Sequence, residues 1–531
     1  MTAAPTRRTA TVGALAAAAL AGTAGRAFAD DAAVGAGDDA VDDVTGYLPR
    51  RHKGAELLDD ADRHLVSRFS YGITPKLAQE VRRAGGAQAW FERQLDPKRI
   101  RDKSTDKIAH WWPSLHRTPV DLWQRQTTGV EGGWEVMDDY ARWVLMRRMT
   151  SKRQLLEVMT EFFENHLHVA AVGDPQFVHR VDYGNTIRKH ALGRFDHLLL
   201  ATTTHPAMLI YLDAAESTKD HPNENLGREL LELHTLGAGN YSEKDVRDSA
   251  RILTGYSVDY WETWRAKYNA DDHYRGKVKV KGFKDKNRKI IGKATTAAYL
   301  RYLAHHKLTA EHLAFKLCVK FIGDKPSKPL VKHLARVYLD NDTAIIPVLR
   351  ELVASHAFQH AHGNKVRDPG EDVVATYRVL GVRFQTPVGE EADDSALQSL
   401  VWQTDSIGIT PFSWGQPNGQ PIDNESWSSP ARLLASMRFH MSAAAGWAEA
   451  ATFYREPKDW LPGRHPRFDE LVDHLCQALL HKESTPKLLK ACCTAVDVKP
   501  YDPIDQDHDL VKWQFPQLLT TLLDSPDHLS R

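Results

Sequence analysis

Apolar residues recur at every third and fourth position through most of this chain, and a chain so patterned buries them by packing helix on helix. The spacing runs through 61–70, 139–168, 190–212, 223–236, 243–254, 310–322, 328–340, 344–358, 370–381, 429–447, 468–481 and 485–495. Helix-start signals support several of these: Thr74-Pro75, Ser242 before Glu243-Lys244-Asp245, Thr309 before Ala310-Glu311, and Ser484-Thr485-Pro486. The best strand signal is the Lys/Val alternation of 277–283, with 288–292 as its candidate partner. The expectation is a mainly α protein, a large multi-helix globular body with one small β-hairpin excursion and two long aromatic-rich loops. Those loops are 255–295 and 403–430, where the period breaks and Gly, Pro, Asn and Trp accumulate. Tyr256, Tyr260, Trp261, Trp264, Trp402, Phe412, Trp414 and Trp427 in or beside them argue for ordered loops with a function.

The amino terminus has the order of an export signal. Thr6-Arg7-Arg8-Thr9 precedes an Ala/Gly/Leu run from Val12 to Ala24, and Ala27-Phe28-Ala29 offers an A-x-A cleavage site. The apolar run is too short and too rich in Ala to span a bilayer stably. The arginine pair points to the twin-arginine route, and Ala10, where a large apolar residue is usual, leaves ordinary secretion open. Residues 1–29 are therefore expected to be a removable signal and 30–48 an acidic disordered linker, since 30–44 holds six Asp and no basic residue. The remainder, 49–531, is expected to be one large helical domain. Losing Arg7, Arg8 and Arg26 with the signal leaves 66 basic against 69 acidic side chains, about −3, which is not the basic footprint of a nucleic-acid binder. No later stretch reads as a transmembrane helix.

Four cysteines remain: Cys318, Cys476, Cys492 and Cys493. Cys318 lies on an apolar stripe and reads as a buried thiol. Cys476 and the Cys492-Cys493 pair flank an expected helical hairpin, where one bridge is plausible in an oxidising compartment. No C-x-x-C pair exists, which excludes a zinc ribbon.

Three constellations carry chemistry. In 157–168 (EVMTEFFENHLH), Glu161, Asn165 and His168 share one helical face, Glu164 pairs with His168, and His166 points elsewhere unless the helix ends near it. In 223–237 (NENLGRELLELHTLG), Asn225, Glu229 and Glu232 fall within one arc with Arg228 at its edge, beside a stripe of Leu226, Leu230 and Leu233. His234 is half a turn away and reads as part of another surface. Two carboxylates one turn apart, steadied by Arg228, suit an acid/base pair or hard metal ligands; the bland alternative is a solvated polar face. The third is Asp271-Asp272-His273, either a metal-binding or proton-accepting group or a turn held by Asx bonds. H-E-x-x-H, G-x-S-x-G and the P-loop are all absent.

The ordered set DRHLVSRFSYGITPK, WFERQLDP, MTEFFENHLHVA, LGRFDHLLLATTTHPAMLIYLD, NENLGRELLELHTLG, DVRDSARILTGYS and GQPNGQPIDNESWSSPARLL resembles the bacterial family catalogued as domain of unknown function 1800, over roughly 60–450, leaving 451–531 as a C-terminal helical extension. The family's Phe-Trp-His-Asn-His stretch corresponds to Phe162, Phe163, Glu164, Asn165 and His166, with Phe163 replacing Trp and Glu164 replacing His. Asn223, Glu224, Asn225, Arg228, Glu229, Glu232 and His234 match the second motif without departure. The resemblance implies export and a helical fold, and no particular activity.

Three classes of function stay open. One is an extracytoplasmic hydrolase or lyase of polysaccharide or another polymer, with Glu229, Glu232, His166, Asn165 and Arg228 as catalytic candidates and Asn225, Tyr256, Trp414 and Trp427 binding substrate. Another is a metal-dependent redox enzyme exported folded, its divalent metal held by His166, Glu229 and His273. The third is a non-catalytic envelope or matrix protein, partnered by another envelope protein and held by a buried polar network. In every case the shared expectation is that His166 and Asn165 lie near Glu229 and Glu232, with Asp272 or His273 brought over them by the 255–295 loop.

Overall fold

Helix ends are set locally wherever a side chain can take the first unpaired amides. Thr74 accepts from Leu77 N at 3.1 Å and Thr485 from Leu488 N at 3.2 Å, each with Pro at the first helical position. Ser242 and Asp245 close a reciprocal capping box on helix Glu243–Leu253. The computed structural model describes residues 56–387, 395–447 and 452–531, so the expected signal and acidic linker lie outside the described residues. Within them the protein is mainly α, with 25 α-helices and three two-stranded antiparallel sheets. None of these helices is long and apolar enough to cross a membrane.

Three long periodic runs turn out to be paired helices, 190–212 giving Phe195–Thr203 and Pro206–Tyr211. The 139–168 run divides into Gly133–Thr150 and Gln154–His166. The break is held by Asp102, which accepts from Ser151 Oγ at 2.7 Å and Lys152 N at 2.9 Å. The 344–358 run divides into Ile345–Ala354 and His356–Gln359, with Ser355 capping the second. Thr309 does not open its helix. Helix Lys307–Phe321 starts three residues before the expected Ala310 because His306 Nδ1 caps Leu308 N at 3.2 Å, and Thr309 is left buried inside with its hydroxyl unpartnered. Helix Phe177–His190 escapes the periodicity because it buries Arg180 and His179 along with its apolar residues.

The 255–295 stretch holds two hairpins. Tyr256–Val258 pairs with Ala266–Tyr268, and Val278–Val280 pairs with Phe283–Asp285, not with 288–292. Lys281 (φ 44°) and Gly282 (φ 105°) form the two-residue turn whose left-handed backbone matches strand twist, so the chain returns at once. Ile290 and Ile291 are left exposed. The third sheet joins Arg383–Phe384 to Thr452–Phe453.

One hydrophobic cluster runs from Leu58 to Leu523, and buried ion pairs lie inside it. Lys320 Nζ reaches Glu161 at 2.9 Å and Glu371 at 2.8 Å; Arg148 adds to Glu161 and Arg531 to Glu371. A second group sets His440 between Asp372 (3.1 Å) and Asp524 (2.7 Å), with Arg432 on Asp372 at 3.0 Å. The bridge expected between Cys476 and Cys492 or Cys493 is not formed: all four cysteines are free and buried. Helices Phe468–Leu479 and Pro486–Val496 do pair, but their thiols serve as small apolar filler, and burial pushes the Cys492 and Cys476 thiols up.

Burial alone would lower the His440 pKa, but Asp372 and Asp524 raise it to about 9 from 6.5. The folded state then holds this proton more tightly than the unfolded chain, so the contribution is complete below pH 6.5 and lost as pH rises through about 9. Thermal melts from pH 6 to 10 should show the wild type losing stability over that window relative to His440→Gln, which starts lower because Asp372 and Asp524 lose their shared cation; parallel curves would contradict the charged His440. Denatured protein should titrate four thiols with a chromogenic disulfide reagent and folded protein none. Two in the denatured chain would restore the bridge.

Candidate functional site

Helix Gln154–His166 ends at His166, where Leu167 leaves helical geometry (φ −111°, ψ 55°). That ending is what lets Asn165, His166 and His168 serve one place. The second aromatic loop packs onto it through the backbone: Ala171 N donates to Phe412 O at 2.7 Å, and His168 Nε2 donates to Trp414 O at 2.7 Å. Gly419 (φ 72°) lies so close that a Cβ there would stand 2.1 Å from the Asn165 carbonyl oxygen. The polar residues higher on this helix serve the core. The Glu164 carboxylate pairs with Arg180 at 2.8 Å and accepts from Tyr140 Oη rather than pairing with the His168 ring; Glu161 takes Lys320 and Tyr71. Glu164, standing where the family has His, is thus an ion-pair partner.

The second wall begins as helix Glu224–Glu229, capped by Asn223, and passes into a π-helical turn, Leu230–His234. Widening the last turn changes the angular phase of everything after Glu229, a device frequent at functional sites. It overturns the half-turn separation expected for His234. His234 is buried at 1% exposure with its ring 6.5 Å from that of His166, and its carbonyl accepts from His166 Nε2 at 3.1 Å. The next carbonyl, Thr235 O, accepts from His312 Nδ1 at 3.0 Å.

His312 belongs to the third wall, helix Lys307–Phe321, which sets Thr309, His312, Lys316 and Lys320 along one face. The His312 ring stands 5.8 Å from that of His166 and nearly perpendicular to it. Burial first, then Lys316 and the neighbouring imidazoles, holds His166 well below the usual histidine range and His234 at about 3. Burial and Lys316 take His312 to about 4. Burial also lowers Lys316 to about 8, and among the described residues its ammonium has no carboxylate or hydrogen-bond partner. The imidazoles are neutral at pH 7, and buried polar atoms stay unmatched here: His166 Nδ1, His234 Nε2, Asn165 Oδ1 and Thr309 Oγ1.

Glu229, the last residue of helix Glu224–Glu229, is half-buried and, among the described residues, has no hydrogen-bond or ion-pair partner. Burial and the neighbouring Glu232 raise its pKa, with Arg228 opposing. It is close enough to Tyr211 to raise that phenol, after burial, and the Tyr211 ring stands 6.3 Å from His168.

The other expected site residues have different work. Arg228 bonds neither carboxylate directly; its guanidinium holds Glu243 at 2.7 and 2.8 Å, because helix Glu243–Leu253 packs across Gly227. Glu232 accepts from Tyr241 Oη, and Asn225 is exposed. Tyr256 stacks edge-on to Tyr268 across its hairpin. Trp427 is buried with Nε1 on Pro421 O, and Trp414 is half-buried with Nε1 on Asn418. His273 is engaged on both sides, Nδ1 facing Thr254 O and Nε2 the side-chain amide of Asn287, and Asp272 accepts from Asn269. Trp261 and Trp264 of the same loop pack on Trp123 rather than over His166. His312 and Lys316 escaped the sequence reading, which named His234 but set it on another surface. The available signal was the polar line 312–316–320 down an otherwise apolar helix.

Two other groups bring three ligand-type atoms within 4.8 Å of one another: Glu161, Asp368 and Glu371, and Asp372, His440 and His528. Lys320 and Arg432 already supply the positive charge there. Open cavities of 370 to 630 Å³ lie elsewhere, one of them between His64, His362 and Arg531.

The fold and site define a mainly α-helical protein in which elements from three parts of the chain enclose imidazoles with unmatched ring nitrogens. The chain belongs to the family described as Protein of unknown function (DUF1800), whose model matches residues 64–530 and so takes in 451–530 as well. No curated protein and no solved structure matches it.

Gly419→Ala tests whether the loop is fixed on this wall. The Cβ must move a backbone carbonyl, and φ 72° is unfavourable for Ala, so stability should fall by about 3 kcal/mol and a protease should gain a cut within 410–425. An unchanged melting temperature and digestion pattern would contradict the contact.

Proposed function

We propose that this chain is an exported enzyme, a hydrolase or lyase of polysaccharide or another polymer, with Glu229 as its proton donor. Export rests on the Arg7-Arg8 pair and the Ala27-Phe28-Ala29 site. The observation that carries the activity is Glu229: a half-buried carboxyl with no partner, its pKa raised by burial and by Glu232. A group so placed keeps its proton above the usual carboxylate range and can deliver it to a leaving oxygen. Glu232, bonded by Tyr241, is the neighbouring charge that favours this protonated state. Tyr211 and Trp414 at the rim give a polymer chain aromatic surfaces to lie against.

The test is a panel of polysaccharides and oligosaccharides with wild type and Glu229→Gln. The variant keeps shape and hydrogen-bonding capacity, so melting should shift by no more than about 2 °C while turnover falls by about 10²–10⁴-fold. Turnover should also fall on the alkaline side as Glu229 loses its proton. Retained activity in Glu229→Gln, or a wild type inert across the panel, would overturn this function.

A further inference from the structure

We propose that His166, His234 and His312 form a binding site for a single divalent transition-metal ion, zinc by preference, through His166 Nδ1, His234 Nε2 and His312 Nε2. The inference goes beyond the polymer-cleaving reading and does not depend on Glu229.

Hydrogen bonding decides which nitrogen each ring presents. A carbonyl oxygen only accepts, so His166 donates from Nε2 to His234 O and keeps a bare lone pair on Nδ1. His312 donates from Nδ1 to Thr235 O and keeps its lone pair on Nε2. Two consecutive carbonyls at the end of the π-helical turn thus fix two imidazoles as acceptors. Ligand histidines are held in this way, with the far N–H on a backbone carbonyl and the near lone pair free for the ion. His234 adds Nε2, buried and without a partner.

Size and charge narrow the ligand. His166 and His234 are 2% and 1% exposed, too enclosed for a sugar ring or a phosphate to reach their unmatched atoms. An anion would face lone pairs rather than N–H groups. Three imidazoles suit a borderline divalent ion and leave one position of a tetrahedron open. The three nitrogens do not stand as a group within 4.8 Å, so binding requires the rings to close by side-chain rotation. Lys316 stands one helical turn from His312 on the same face, so its positive charge opposes the ion and gives the site a signature: removing that charge should tighten binding while removing an imidazole weakens it.

The experiment uses the purified full-length protein, stripped with chelator and titrated with Zn²⁺ against a chromogenic chelator, and with Co²⁺ followed by visible absorption. One equivalent per chain is expected, with the intense bands of a four-coordinate cobalt ion. His166→Gln and His234→Gln should each weaken binding by at least about tenfold, and Lys316→Gln should tighten it. No stoichiometric binding by the wild type would overturn the site, a result that does not need a folded variant. Binding unchanged in both histidine variants, with circular dichroism showing them folded, would overturn it too. Each readout is binding, so a failed metal site with an active Glu229, or the reverse, is told apart.

Discussion

The buried ammonium of Lys320 fixes the register on which the rest of the structure depends. It is 4% exposed and bridges Glu161 and Glu371, so it joins helix Gln154–His166, helix Lys307–Phe321 and helix Pro369–Leu380 at one point. Removing one member of such a buried set leaves an uncompensated charge and costs about 3–5 kcal/mol, far more than a slipped apolar contact. The helices therefore meet in one register only. Arg148 on Glu161 and Arg531 on Glu371 extend the same constraint to helix Gly133–Thr150 and to the last residue of the chain.

The histidine cluster lies one turn from that point on two of the same helices. Asn165 follows Glu161 by four residues, and Lys316 precedes Lys320 by four. The two layers have opposite character. Around Lys320 each carboxylate meets a cation; around His166, the atoms His166 Nδ1, His234 Nε2, Asn165 Oδ1 and Thr309 Oγ1 lack partners. Unmatched buried polar groups are costly, and a fold keeps them where neighbouring structure is firm enough to hold them. The matched layer supplies that firmness, and the π-helical turn and Gly419 loop shape the space above it.

Much of the helical framework was legible because periodicity and caps are local. Helix Lys328–Asp340 and helix Phe468–Leu479 follow from apolar spacing alone, and Ser242, Thr74 and Thr485 mark the starts of helices Glu243–Leu253, Pro75–Ala84 and Pro486–Val496. Helix Phe177–His190 was not, since its core side includes Arg180, whose partner Glu164 comes from another helix. The same gap explains Arg228, read as serving Glu229 beside it in sequence and found on Glu243 across a helix contact. The free thiols follow this pattern as well: adjacency of two helices did not decide how their cysteines pack.

By itself, then, the sequence determined the helical class, most helix positions and one wall of the site, Asn165 and His166, because each depends on residues a few positions apart. The ending of that helix at His166 was conditional in the sequence and became definite only when the Phe412–Gln420 segment packed on it. Tertiary structure alone chose His234, His312 and Lys316. An α-helical projection places His234 on the wrong side, and only the π-helical turn brings it to His166. His312 and Lys316 lie some 150 residues further along the chain and look like interruptions in an apolar helix until packing sets them against His166. Which polar groups share a site is set by how helices dock, and docking here was decided by buried charges whose partners lie on other helices.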